Sequence, residues 1–179
     1  MRSNNTRHIL LVALFTALII VGTFIRVPLP PVPITLQTFF VMLAALLLSP
    51  SMALASVVLY MFLGAIGIPV FSSGGGIGAL LGPTGGFILG WIPAALLGSF
   101  VAGKGKNPVR LILALFVVQV FTYGVGVPWL KFKLGLTWAK AYAAGMGPFM
   151  IGDAVKMAAA FLVALSPLKD RIQGGEERS

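Results

Sequence analysis

The fold class is decided by the stretch Phe149-Met-Ile-Gly-Asp153-Ala-Val-Lys156-Met-Ala-Ala-Ala-Phe-Leu-Val-Ala-Leu165, an apolar run that carries two charges. Such a run is typical of a membrane-spanning helix, which needs about 20 mostly apolar residues. An ionised group at the centre of a bilayer costs about 2.5–3.5 kcal/mol on insertion scales, so such groups usually face a bundle interior or a polar cavity. Residues three apart share one face of a helix. The sequence therefore predicts that Asp153 and Lys156 lie together inside a helical bundle.

Three roles are open for this pair. In a ligand site, the carboxylate accepts hydrogen bonds from substrate N–H groups, and the ammonium balances its charge or binds a substrate anion. As a structural pair, the two side chains bind each other and hold the last helix in the bundle, although a buried ion pair is weak evidence for stability. A proton relay needs further titratable groups, and Asp153 is the one acid among the first 169 residues. We favour the ligand site.

The composition indicates an integral membrane protein. Of the 179 residues, 58% are hydrophobic and 9% are charged, whereas soluble domains carry about 25% charged residues. The net charge of +9 comes from basic residues in short loops and at the ends, a pattern of membrane orientation and not of a nucleic-acid-binding surface. The chain contains no cysteine, which excludes disulfides and thiolate metal sites.

Six apolar segments predict an all-α protein with six transmembrane helices in a single membrane domain, residues 1–179. The predicted spans are approximately 8–26, 33–49, 51–67, 84–102, 108–127 and 147–166. With six spans both termini share one side, which carries eight Lys and Arg residues, Arg2 and Arg178 included, against four on the other side. We therefore expect both termini in the cytoplasm. Pro167 is expected to end the last helix, and the charged tail from Lys169 is expected to fray.

The connection Gly67–Gly82 is uncharged, rich in glycine and too apolar for an ordinary solvated loop. Non-helical backbone at membrane depth is tolerated where it is buried in protein or lines a cavity. We interpret the connection as an extracellular cap over a binding site between spans three and four; the alternative is a flexible turn that merely joins them.

Two further patterns have both a functional and a structural interpretation. Thr35 and Gln37 begin the second span after a proline-rich turn, where Gln37 can bind a ligand at the outer mouth or a neighbouring helix. Ala13 and Ala17 form a small-xxx-small pair that permits close approach of another helix, although alanine is common in every membrane helix.

Several enzymatic classes are excluded. Gly98–Lys104 matches the start of a phosphate-binding loop, but Gly105 replaces the required Ser or Thr and no strand precedes it. The chain has no Gly-x-Ser-x-Gly elbow, and His8 is its one histidine, which argues against intramembrane hydrolysis. No cluster of His, Asp and Glu is available to hold a metal.

The stretch Gly82-Pro-Thr-Gly-Gly-Phe-Ile-Leu-Gly-Trp91 closely resembles the signature of the BioY family, the biotin-binding S-components of energy-coupling-factor transporters. Pro33–Phe40, Leu63–Pro69 and Gly152–Lys156 are similar to the same family, and the similarity covers about residues 8–168. The resemblance implies a multi-pass protein of a prokaryotic cell membrane that captures biotin from outside. It implies neither an enzyme nor a resident cofactor.

The resemblance also implies partners. Such subunits dock onto a transmembrane coupling protein that carries two cytoplasmic ATPases, and the Ala13/Ala17 pair is similar to the docking motif of their first helix. Loops after the first and third spans cap the site in this family, and here these are Val27–Pro33 and Gly67–Gly82. Some members work alone, and the sequence leaves both cases open.

Biotin offers a cyclic urea, an apolar bicycle and a carboxylate on an aliphatic chain. Asp153 suits the urea N–H groups, with Lys156 beside it, and the resemblance adds the motif residues Thr84, Gly85 and Gly86. The candidates placed by depth and chemistry are Thr84, Gln37 and Ser73 for the urea oxygen, Thr35 beside Gln37, Phe71, Gly75 and Tyr123 around the ring and chain, and Arg26 for the carboxylate. The alternatives are a subunit for another small vitamin, or a membrane assembly subunit that binds no ligand.

Overall fold

The computed structural model describes residues 2–174, with side chains from residue 5 onward, and is largely helical. Arg178 and the side chain of Arg2, which enter the charge count, lie outside the described residues. The helices of the described part are α1 (Arg2–Phe24), α2 (Gln37–Leu47), α3 (Pro50–Ala65), α4 (Ile77–Leu80), α5 (Gly85–Ala102), α6 (Pro108–Leu134), α7 (Trp138–Gly145), α8 (Met150–Leu165) and α9 (Pro167–Gln173). Strands β1 (Arg26–Val27) and β2 (Ile34–Thr35) form an antiparallel ribbon, and a 3₁₀ turn, Gly147–Phe149, joins α7 to α8.

The prediction of a mostly helical membrane protein is confirmed. Within residues 2–174, four segments are long and apolar enough to cross a membrane: Asn5–Phe24, Gly85–Ala102, Pro108–Leu134 and Trp138–Leu165. Helices α2 and α3 are apolar but shorter, with 11 and 16 residues. At about 1.5 Å per residue, α2 is roughly 16 Å long, about half of the hydrocarbon core of a bilayer.

Two predicted helix boundaries are wrong, and the predicted fraying from Lys169 is wrong for the described part of the tail, which ends at residue 174. The second segment is not helical from residue 33, because Ile34–Thr35 pairs with Arg26–Val27 and α2 begins only at Gln37. Helix α6 continues beyond residue 127 to Leu134, with Pro128 inside it. The segment from Lys169 to Gln173 is helical, because Pro167 ends α8 but also begins α9, where its missing N–H needs no partner.

Helix α5 lies at the centre of the bundle and packs against α2, α3 and α6. A Cβ atom at Gly90 would lie 2.6 Å from the carbonyl oxygen of Phe121, so glycine lets α5 and α6 approach closely. Helix α2 is buried from Val41 to its C-cap Leu48, as expected of a helix that is apolar on all sides. The N-terminal ends of these two central helices carry residues that line the candidate functional site described below.

Helix α9 closes the opposite end of the bundle. Arg7 donates hydrogen bonds to the carbonyl oxygens of Arg171 and Ile172 at 2.7 and 2.8 Å. Lys106, in the turn between α5 and α6, forms an ion pair with Asp170 at 2.5 Å. The start of α1, the α5–α6 turn and α9 therefore meet at one end, and the ribbon and the glycine-rich connection lie at the other.

Lys169 is fully buried at this end, and its Nζ has no hydrogen-bond partner within the described part of the chain. Burial, with repulsion from Arg110 and Lys106, lowers the pKa of Lys169 from its ordinary 10.5 to about 8, against the opposing effect of Asp170. The folded state binds this proton less tightly than the unfolded chain does. The free energy of unfolding therefore rises with pH between about 8 and 10.5.

We expect Lys169→Met to raise the melting temperature in detergent at pH 7, because methionine keeps an apolar stem without the charge. The gain over wild type should shrink as pH rises above 8, measured by intrinsic tryptophan fluorescence. Lys140→Met, at an exposed position, is the control and should leave the melting temperature nearly unchanged. A Lys169→Met gain that is absent or independent of pH would contradict the expectation.

Candidate functional site

A cavity lies inside the bundle, beneath the ribbon and the glycine-rich connection. The cavity is lined by Val32, Pro33, Thr35, Gln37, Thr38, Ser72, Thr84, Phe87, Ile88, Trp91, Thr122, Tyr123, Phe149, Asp153 and Lys156. Its wall is mostly apolar, with polar groups from α2, α5, α6 and α8.

Asp153 and Lys156 lie on one face of α8, as their spacing predicts, and both are buried at the cavity wall. Lys156 Nζ donates to Asp153 Oδ1 at 2.9 Å and to Thr38 Oγ1 at 2.9 Å. Gln119 Nε2 donates to Asp153 Oδ2 at 2.8 Å, and the Tyr123 hydroxyl donates to the same oxygen. A carboxylate has about four acceptor positions and an ammonium has three donors. Asp153 Oδ1 therefore keeps room for about one more N–H, and Lys156 keeps one free N–H.

Asp153 and Tyr123 also line a second, more apolar cavity, between α6 and α8. Phe116 and Val120 contribute from α6, and methionine side chains contribute from α8 and the segment before it. The contacts among Asp153, Tyr123 and Gln119 thus form part of the wall between the two cavities.

One face of α5 lines the interior cavity at helical spacing, with Thr84 at its N-cap followed by Phe87, Ile88 and Trp91. The Phe87 ring lies 6.4 Å from that of Tyr123, perpendicular to it. Thr84 Oγ1 and Trp91 Nε1 are buried without a hydrogen-bond partner in residues 5–174. Buried polar atoms are normally paired, and both of these atoms belong to residues that line the cavity.

Gln37 and Thr35 line the cavity at the start of α2 and bind each other, with the Thr35 hydroxyl 3.1 Å from Gln37 Oε1. Gln37 Nε2 donates to the hydroxyl of Tyr60 on α3. Gln37 therefore contacts a neighbouring helix and also lines the cavity.

Six predicted site residues lie outside the cavity lining: Gly85, Gly86, Ser73, Gly75, Phe71 and Arg26. A Cβ at Gly85 would overlap the Leu80 carbonyl oxygen, and one at Gly86 would overlap Trp129, so these glycines serve close packing. Phe71 is buried edge-on against Tyr60, with 5.4 Å between ring centroids.

Arg26 is exposed and donates to the carbonyl oxygen of Ser72, which ties the ribbon to the glycine-rich connection. Ser73 and Gly75 are both exposed in that connection and do not line the cavity, whereas Ser72 does. The connection includes Val70, whose carbonyl oxygen accepts from Thr23 at 2.8 Å. It is therefore held by hydrogen bonds to α1 and to the ribbon.

Sequence reasoning missed five polar residues of the site: Thr38, Ser72, Gln119, Trp91 and Thr122. Gln119 and Tyr123 are four residues apart on α6, a spacing that places them on one face beside Asp153. Helical periodicity from Thr84 would likewise have identified Trp91, seven residues later. Within the described residues, no three His, Asp or Glu side chains come together as metal ligands.

The model of the BioY family matches residues 1–172 of this chain. The chain belongs to the BioY family. A BioY relative from Pyrococcus horikoshii, described as a probable biotin transporter, is 43% identical over 169 residues, which cover 94% of this chain and 97% of the relative. A biotin transporter BioY from Thermotoga maritima is 41% identical over 164 residues, which cover 89% of this chain and 94% of the relative.

The fold of this BioY family member is also similar to that of a solved protein. The match is the crystal structure at 2.1 Å of the S-component for biotin from an ECF-type ABC transporter. The TM-score is 0.86 at 28% sequence identity, and the match covers 97% of this chain and 95% of the other.

Proposed function

We propose that this protein is the high-affinity biotin-binding subunit of a vitamin uptake transporter, with biotin as its cargo and not as a cofactor. The observation that carries the proposal is the interior cavity, with the Asp153–Lys156 pair in its wall, in a BioY family fold. Relatives described as biotin transporters and the likeness to an S-component for biotin support it. In this function the protein is a transport subunit and not an enzyme.

Biotin fits the free hydrogen-bonding positions of the cavity. Asp153 Oδ1 accepts one urea N–H, and the third N–H of Lys156 is available to a ligand acceptor. Phe87 and Ile88 offer apolar surface to the bicycle, and Gln37 and Thr84 supply further polar groups near the start of their helices. This arrangement favours a ligand site over a pair that is merely structural, because a closed structural pair needs no adjoining cavity.

The test is mass spectrometry of small molecules released from the detergent-purified protein, together with calorimetric titration with biotin. We expect biotin to be recovered and to bind. Recovery of a different vitamin, with no binding of biotin, would favour the rival subunit for another vitamin. Absence of any ligand under both measurements would favour an assembly subunit.

We propose that the chain crosses a prokaryotic plasma membrane six times, with α2 and α3 as short crossings and both termini in the cytoplasm. The grouping of the start of α1 with α9 at one end of the bundle supports an even number of crossings. The ribbon and the connection 67–82 then form an extracellular cap, which the contact of Arg26 with Ser72 closes across the two segments.

We further propose that a transmembrane coupling protein and two cytoplasmic ATPases energise uptake. Ala13 and Ala17 are both exposed on α1, one turn apart, and their short side chains permit close approach of another helix. We expect Ala17→Trp to abolish co-purification with the coupling protein and ATP-dependent uptake while leaving biotin affinity unchanged. Leu162→Trp, at an exposed position of α8, is the control and should leave co-purification and uptake unchanged. Uptake and co-purification that both survive Ala17→Trp would contradict the docking proposal.

A further inference from the structure

We propose that Trp91 is a specificity-determining residue of the cavity, whose indole N–H donates a hydrogen bond to the carbonyl oxygen of the cyclic urea of the ligand. This inference rests on the proposed function, since it assumes that biotin occupies the cavity. It assigns a role to a residue that lies on a different wall from Asp153 and Lys156.

The first observation is an unsatisfied donor. Trp91 is 3% exposed and lines the cavity, and its Nε1 has no acceptor among the side chains and backbone groups of the described residues. A buried N–H that lacks a partner is costly and rare in a native structure. Trp129 provides the contrast, because its Nε1 donates to the carbonyl oxygen of Gly82 at 2.9 Å. The acceptor that completes Trp91 must therefore come from the cavity.

The second observation is the chemistry of the group. An indole N–H can only donate, so its partner must be an acceptor. The Thr84 hydroxyl can donate or accept, so it does not discriminate between a ligand donor and a ligand acceptor. Asp153 is an acceptor with about one free position, which selects a ligand donor. A cyclic urea carries N–H donors beside a carbonyl acceptor, so it offers each wall a partner of the required kind.

The surroundings of Trp91 select a neutral acceptor. Ile88 and Phe87 precede it on the same face of α5, and Tyr60 packs against its ring with 6.0 Å between centroids. A carboxylate placed against one neutral N–H in such surroundings would be poorly compensated for its lost hydration. A thioether sulfur is only a weak acceptor. The urea carbonyl oxygen is therefore the group of biotin that fits this position.

The test compares biotin with 2-iminobiotin, in which a protonated imine replaces the carbonyl and turns the acceptor into a donor. Calorimetric titration of the purified full-length protein should show wild type preferring biotin. Trp91→Phe should weaken biotin binding about ten- to hundredfold but change 2-iminobiotin binding much less. The preference for biotin should therefore shrink by nearly the same factor.

Phe87→Leu is the matched control, because it alters an apolar part of the same α5 face. It should weaken both ligands by a similar factor and leave the preference unchanged. Replacing Trp91 with benzothienylalanine, in which sulfur replaces the N–H, keeps the ring shape and should reproduce the effect of Trp91→Phe.

The outcomes separate this proposal from the proposed function. Equal losses for both ligands in Trp91→Phe, or an unchanged preference with benzothienylalanine, would overturn the role of Trp91 while biotin binding by wild type still stands. Wild-type protein that binds neither ligand would instead overturn the proposed function, and this inference with it.

Discussion

Asp153→Asn is expected to lower biotin affinity by about 2–3 kcal/mol, because it removes the charged acceptor that faces the cavity. Asparagine keeps the shape of the side chain, but one of its two terminal groups becomes a donor. Whichever way the amide turns, it opposes either Lys156 or the pair of donors from Gln119 and Tyr123. The change is measured by calorimetric titration of the purified variant.

The same substitution leaves the Lys156 ammonium buried without its counter-ion, and breaking a buried pair typically costs about 3–5 kcal/mol of stability. A loss of binding could then reflect partial unfolding. The double variant Asp153→Asn with Lys156→Met removes this uncompensated charge and should regain much of the melting temperature, but it should not regain biotin binding. Wild-type affinity in a folded Asp153→Asn variant would contradict the proposed role.

The position of the Asp153–Lys156 pair could be predicted from the sequence because charges in an apolar span have few tolerable locations. Their three-residue spacing then determined that they share a face, and the structure places both at the cavity. What could not be predicted is how many partners they already have. Gln119, Tyr123 and Thr38 come from other helices, and such contacts depend on helix rotation, which hydropathy alone does not specify.

The fold could be predicted from the sequence to a similar extent. Long apolar runs identify helices because the backbone in lipid must satisfy its own hydrogen bonds, and α5 begins and ends within a residue of the predicted segment 84–102. The ribbon and α9 were not predicted. They depend on contacts with distant parts of the chain, such as the pairing of Arg26 with Thr35 and the bonds from Arg7 to α9.

The motif glycines show that a family resemblance identifies important residues more readily than it identifies what those residues do. The stretch 82–86 lies in the segment that resembles the family signature, and Thr84 does line the cavity. Gly85 and Gly86, however, lie where α5 packs closely against Leu80 and Trp129. The absence of a side chain can serve either a ligand or a neighbouring helix, and the sequence does not distinguish between them.

Gly85→Ala is accordingly expected to destabilise the ligand-free protein, by at least the roughly 1–3 kcal/mol typical of an overpacked core. Its Cβ would overlap the carbonyl oxygen of Leu80 at the end of α4, a backbone atom that cannot move without shifting the glycine-rich connection. Because Ser72 of that connection lines the cavity, biotin affinity should fall as well. The measurements are the melting temperature without ligand and calorimetric titration with biotin.

Gly124→Ala is the matched control for this effect, since Gly124 lies within α6, is exposed, and has no neighbouring atom within 4 Å of the position that a Cβ would take. It should leave binding unchanged and, by removing a helix-interior glycine, stabilise the protein slightly, by about 0.5–1 kcal/mol. A glycine that touches biotin directly would behave differently from a glycine that serves packing. Replacing a glycine that touches biotin would weaken binding while the melting temperature of the ligand-free protein stayed constant. That result for Gly85→Ala would contradict the packing role and indicate that Gly85 contacts the ligand.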